Sequence, residues 1–251
     1  MRISRRLTLA YAPALTALTA VPALAENPRD PAASQSVQHL VIHEDEGADA
    51  AYMAPIAHAA TDTVWDASGD LTETAFIETQ ARRRANGFAL RRLSAFQTRG
   101  GMRYAAIWQW HGPEAVRVRH GLTGGALSSE LASNRDLHLA HLDATATANG
   151  PRFAAIWTAE RKGEQAVRTG LTADQLGREG LRQLAGYMDN GAPRFAAVFA
   201  GTAPVEAAHA LSPAEFRARH FALVAQGYRL RDASGYVHGT APFYTAVWEK
   251  V

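Results

Sequence analysis

Three groups of side chains in this 251-residue chain have types and spacing that could do chemistry. His43, Glu44, Asp45, Glu46 and Asp49 could collect a hard cation through oxygen ligands. Successive strand residues point to opposite faces, however, and the run coincides with an expected hairpin turn, so it reads as a solvated acidic turn. His138 and His141, three apart in an expected strand, lie on opposite faces and cannot share one ion; they read as surface or core-edge histidines. The third group recurs along the chain: Arg103/Tyr104/Trp108, Arg152/Phe153/Trp157, Arg194/Phe195/Phe199 and Tyr244/Trp248. In a curved or closed array such residues would line up into an aromatic and cationic ring able to bind glycan or peptide. The plainer reading makes the aromatics the shared core and the arginines structural ion-pair partners. Arg103, Arg152 and Arg194, beside turns, are carried forward as the candidate ligand contacts.

No Gly-x-Ser-x-Gly elbow, His-Glu-x-x-His, Walker loop or Gly-x-Gly-x-x-Gly occurs, and cysteine is absent altogether. No catalytic, metal or cofactor-binding residue is therefore assigned, and no cofactor is expected. Ser94 and Ser234 stand at matching places ten residues before an aromatic anchor, but the counterparts elsewhere are Asp143 and Ala185. That position tolerates polarity without demanding a hydroxyl.

What must position these residues is a repeat. Arg103–Trp108 reads RYAAIW, Arg152–Trp157 RFAAIW, Arg194–Phe199 RFAAVF and Phe243–Trp248 FYTAVW. The anchors Tyr104, Phe153, Phe195 and Tyr244 are 49, 42 and 49 residues apart, and Leu90, Leu139, Leu181 and Leu230 each stand 14 before one. Further upstream come Leu71-Thr72, Leu122-Thr123, Leu171-Thr172 and Leu211-Ser212. The hydroxyl residue suits a helix N-cap, and the apolar residue five after each marker Leu (Phe76, Leu127, Leu176, Phe216) opens a buried helical face. Asn86-Gly87 and Gln226-Gly227 fit helix C-termini. Two strands follow, joined at Gly100-Gly101, Asn149-Gly150, Asn190-Gly191 and His238-Gly239, with Asn-Gly the strongest short hairpin signal. The second strand is apolar on both faces, which predicts a central strand covered on both sides. The first alternates poorly, which predicts a bulge. Marker to anchor runs 33, 31, 24 and 33 residues, so the third copy is short by about two helical turns.

The ends bound the location. Arg2, Arg5 and Arg6, an uncharged run from Leu7 to about Leu24, and Ala23-Leu24-Ala25 read as a secretory signal peptide over residues 1–25. Residues 26–36 read as a linker and 37–251 as the repeat domain: a half-copy at 37–70, with a helix-less hairpin, then copies at 71–121, 122–170, 171–210 and 211–251. The chain has 26 Lys and Arg against 24 Asp and Glu; removing the three signal arginines leaves 23 against 24. No basic surface for nucleic acid is implied, and no second apolar run reaches transmembrane length.

The stretch Leu211–Lys250, LSPAEFRARHFALVAQGYRLRDASGYVHGTAPFYTAVWEK, resembles the bacterial tandem repeat that also forms the amino-terminal domain of polyglycine hydrolases, and Val116–Thr123 (VRVRHGLT) resembles that family's inter-repeat link. The resemblance covers about residues 37–251. It implies a domain found alone or fused to catalytic partners, often a beta-lactamase-like serine hydrolase, with no catalytic residues of its own to carry over. A Ser-x-x-Lys site is absent, because Ala159 and Val247 stand three before the two lysines, Lys162 and Lys250. Departures are the short third helix, Asp136 where other copies have Gly, and Arg82-Arg83-Arg84 in place of Ala222-Leu223-Val224.

The expected fold is α+β: hairpins forming a curved antiparallel sheet or barrel-like array, with one helix per repeat on one side. The expected role is a periplasmic or secreted, non-catalytic recognition or scaffold module for a protein, peptide or glycan. The competing reading is a hydrolase of peptide or glycan whose site is assembled by the fold.

Overall fold

The computed structural model describes residues 38–44, 51–57, 65–98, 100–112, 114–159 and 163–250. The signal peptide, the linker and most of the acidic run at 43–49 lie outside them. A lone antiparallel hairpin, β1 (Gln38–Glu44) and β2 (Ala51–Ala57), pairs in register from Gln38↔Ala57 to Glu44↔Ala51. This hairpin falls within the stretch read as a half-copy, 37–70, whose last residues belong instead to the outer strand of the first full copy. The first full copy is β3 (Trp65–Leu71), α1 (Glu73–Ala85), β4 (Phe88–Thr98) and β5 (Gly101–Trp110). The second is β6 (Ala115–Leu122), α2 (Gly124–Ser133), β7 (His138–Thr145) and β8 (Arg152–Thr158). In the third, β9 (Ala166–Leu171) is followed by a 3-10 turn, Ala173–Gln175, then β10 (Leu181–Asp189) and β11 (Ala192–Phe199). The fourth is β12 (Val205–Leu211), α3 (Pro213–Ala225), β13 (Tyr228–His238) and β14 (Ala241–Lys250).

The α+β expectation of one curved sheet or barrel-like array with a helix in every copy is overturned. The described chain is mostly β, and the copies form four separate three-stranded sheets, ordered β3-β5-β4, β6-β8-β7, β9-β11-β10 and β12-β14-β13. The stretch before each marker Leu, including most of Val116–Thr123 with its resemblance to an inter-repeat link, is a third strand on the outer edge of its own hairpin. The third copy has no α-helix, because the few residues left by its short spacing do not repay helix nucleation.

The capping signals in the other copies hold. Thr72, Thr123 and Ser212 accept from the backbone N–H of Ala75, Ala126 and Glu215 at 3.2, 3.2 and 3.3 Å. Asn190 and Gly191 both take positive φ, 49° and 76°, as a tight hairpin turn requires. Asn149-Gly150 instead sits within a longer loop between Thr145 and Arg152, closed by the Thr147 hydroxyl on Gly150 O at 2.7 Å. One residue before each marker Leu the backbone turns left-handed: Asp70, Gly121, Gly170 and Ala210 have φ of 54°, 66°, 71° and 52°. Register breaks between outer and central strand at this point in every copy.

The double apolar face of the central strands now has its cause. Phe153, Ala155 and Trp157 face the second copy's own core with Leu127 of α2, while Ala154 and Ile156 join the first copy's core with Phe76 and Trp108. Ala196 and Val198 of the third copy pack into the second copy's core in the same way. Trp108, Trp157 and Trp248 are buried to 0, 1 and 0 % exposure. The indole N–H of Trp108 donates to Gln80 at 2.5 Å and that of Trp248 to His220 at 3.2 Å, both eight residues past the N-cap. The helix-less third copy carries Phe199 there, a ring with no N–H to satisfy.

Candidate functional site

The inner strands β4, β7, β10 and β13 each shift register just after their Leu, between Leu90/Arg92, Leu139/His141, Leu181/Gln183 and Leu230/Asp232. A bulge leaves backbone groups outside the ladder, and buried ones need partners. The residue past the bulge supplies them to the neighbouring copy. Gln183 donates to Ala140 O at 2.8 Å and accepts from Leu142 N–H at 2.7 Å. Asp232 accepts from Leu184 N–H at 2.9 Å. His141 Nε2 lies 3.1 Å from Leu93 O. Arg92 returns from the first copy to the fourth, donating to Asp232 Oδ1 and Arg231 O, both at 2.7 Å. Each copy thus holds the one before it, and the first holds the last. Strand β2 lies beside both β13 and β4, at the seam.

Two residues further on stand Ser94, Asp143, Ala185 and Ser234. Ser234 donates to Asp143 at 3.0 Å, joining the second and fourth copies, and Ser94 also hydrogen-bonds to Asp143. Burial pushes the Asp143 carboxyl up to about 6. Burial also raises Asp232, against the pull of Arg92. A guanidinium only donates, so His141 Nδ1, 3.0 Å from Arg92, accepts, and its Nε2–H donates to Leu93 O. The imidazole is therefore neutral, and burial beside Arg92 lowers its pKa to about 3.

Serine, histidine and aspartate thus come together without a catalytic order. The Ser234 hydroxyl is bonded to a carboxylate, while the histidine has both nitrogens committed elsewhere. A nucleophile needs an adjacent base and access to substrate; Ser234, Asp143 and His141 are each only 4 % exposed. His141 lies in the interior rather than at a core edge. The repeat-equivalence of Ser94, Asp143, Ala185 and Ser234 was the sequence signal for this cluster, although its polarity was legible and its meeting point was not.

The three candidate arginines sit at the hairpin ends with local partners. Arg103 pairs with Asp70 at 3.2 Å; Arg152 donates to Asn149 O and Pro151 O at 3.1 and 3.0 Å; Arg194 donates to Pro193 O at 3.2 Å. Tyr104, Phe153, Phe195 and Tyr244 are core residues, at 3, 2, 2 and 0 % exposure. Among the described residues, no group of three or more His, Asp or Glu side chains is arranged to hold a metal ion. No helix among them is long and apolar enough to cross a membrane.

A cleft of about 330 Å³ opens where the third copy lacks its helix. Its apolar wall is Leu176, Leu181, Leu184 and Leu211, and its polar groups are Arg178, His209 and Arg219. Glu206 lies 3.2 Å from Arg219 and 3.6 Å from Arg178 but is not part of the lining. Arg219 Nε and His209 Nδ1 are buried atoms without a hydrogen-bond partner. The short third spacing was the only sequence sign of this opening.

A family described as polyglycine hydrolase-like, structural repeat, matches residues 63–110, 114–160 and 202–251. These stretches coincide with the first, second and fourth sheets, while the third, helix-less sheet falls between matches. No curated protein matches the chain.

Proposed function

The chain belongs to the polyglycine hydrolase-like structural-repeat family, and from that premise we propose that it is an exported, non-catalytic recognition or scaffold module. It acts in the periplasm or outside the cell, on a protein, peptide or glycan. One observation carries the non-catalytic reading: the buried Ser94, His141, Asp143, Asp232 and Ser234 are taken up in hydrogen bonds that fasten one copy to another. The export reading rests on the charged, apolar and small-residue order of residues 1–25.

Two measurements test this. A fluorophosphonate probe should leave the folded protein unlabelled; stoichiometric labelling of one serine, abolished by denaturation, would favour the hydrolase reading instead. Mass spectrometry of the native protein should find an amino terminus at Glu26 or within a few residues, and a cytosolic chain retaining residues 1–25 would sink the export reading.

A further inference from the structure

The repeat supplies its own control for the cleft. At the junction of the first and second copies, His120 packs on Tyr104 and Phe76, with ring centroids 5.0 and 5.7 Å away. Its Nδ1 lies 3.2 Å from the Tyr104 hydroxyl and 3.5 Å from the Glu73 carboxylate, which opens α1. At the junction of the third and fourth copies, His209 packs on Phe195 in the same way, at 5.2 Å. Every other member of that set has changed. Phe195 has no hydroxyl, Ala173 replaces the glutamate, and Leu176 follows a 3-10 turn where Phe76 lies within a helix. Ala173, Leu176 and His209 all line the cleft. The carboxylate that faces His120 is missing where His209 Nδ1 has no partner.

Charge follows the same comparison. At the first junction Arg117 on the outer strand pairs with Glu130 of the helix at 2.7 Å. At the third the pair is reversed, Glu206 on the strand and Arg219 on the helix, which places the cation at the cleft. Arg178 adds a second guanidinium, so two cations line an apolar hollow, while Glu206, the carboxylate both pair with, lies outside the lining. Burial keeps His209 neutral, able to present Nδ1–H to an anion. The volume lies at the small end of the roughly 300–1,000 Å³ usual for ligand pockets.

We propose that this cleft binds an apolar carboxylate, whose carboxylate takes the place that Glu73 holds beside His120 and whose apolar part covers Leu176, Leu181 and Leu211. A free carboxyl end of a peptide with an apolar last residue, and a small free acid, share that chemistry. The assignment names the ligand class of the recognition module proposed above and rests on that reading.

The test is an NMR titration of the mature chain with N-acetyl-L-leucine, its amide and octanoate. The acid should perturb His209 and the leucines of the cleft, and the amide should bind at least tenfold more weakly. Arg219→Met should weaken the acid at least tenfold. Ala173→Glu, at an exposed position, restores the internal carboxylate and should abolish binding without loss of fold. Octanoate binding in place of the peptide mimic assigns the cleft to free acids and keeps the proposal. Equal binding of acid and amide, no binding at millimolar concentration, or unchanged binding by the Ala173→Glu variant overturns it. Serine labelling with acid binding intact would sink the non-catalytic reading alone.

Discussion

Replacing Arg92 by Met keeps most of the stem and removes the guanidinium that closes the ring of copies. Three acceptors then lose their donor: Asp232 Oδ1 and Arg231 O, each at 2.7 Å, and His141 Nδ1 at 3.0 Å. The Asp232 side chain is only 3 % exposed, so water cannot replace the lost charge. Breaking a buried ion pair from one side typically costs about 3–5 kcal/mol, and an unsatisfied neutral acceptor about 1–3 kcal/mol. These do not add in full, because Asp232, its pKa already raised by burial, can take up a proton. The expected loss is about 4 kcal/mol, a large part of a total stability of roughly 5–15 kcal/mol. In urea melts followed by tryptophan fluorescence, the midpoint should fall by roughly 1–2 M for a slope of about 2–3 kcal/mol/M. Arg92→Met with Asp232→Leu should be less damaged than the sum of the single variants, with a coupling above about 2 kcal/mol. A loss below about 1 kcal/mol for Arg92→Met, or strict additivity, would refute the view that this pair locks the first copy to the last.

The remaining predictions address the core and its titration. Truncating Trp108, Trp157 or Trp248 to Ala should each cost roughly 3–5 kcal/mol in the same melts; unchanged stability would place those indoles outside the core. Gly186→Ala drives a methyl carbon to 2.5 Å from the Tyr236 ring and 3.0 Å from Thr245, so it should cost roughly 1–3 kcal/mol, read as a lowered Tm. Asp143→Asn tests the raised carboxyl. Since its folded pKa of about 6 lies above the unfolded value near 3.8, native Asp143 binds the extra proton between those values, and its contribution is lost as pH rises through 6. The variant should therefore gain on the wild type between pH 4 and 8, by up to about 3 kcal/mol at roughly 1.4 kcal/mol per pKa unit; a difference that stays flat with pH would refute it. His141 has the opposite sign, its stabilisation being lost as pH falls from 6.5 toward about 3, but it is present in both proteins and cancels in the comparison.

The sequence alone determined what depends on short-range periodicity. The marker Leu, the capping hydroxyl, the aromatic anchor and the doubly apolar strand recur in register, and each keeps one local physical meaning except the hydroxyl of Thr172, which opens no α-helix. N-caps at Thr72, Thr123 and Ser212, the Asn190-Gly191 turn and the buried tryptophans follow from it. Tertiary structure decided where the copies meet. The stretch before each marker Leu alternates weakly and ends in a left-handed residue, so its pairing as an outer strand depends on a partner at least two dozen residues away. Arg92, His141, Gln183 and Asp232 look unrelated in sequence, because the bulge equates positions rather than residue types, and any donor or acceptor that satisfies the neighbour's backbone serves. The cleft beside His209 is a matter of what is missing: nine fewer residues than the first copy show in the spacing, but only the packed junction shows which hydroxyl, carboxylate and helix they leave unreplaced.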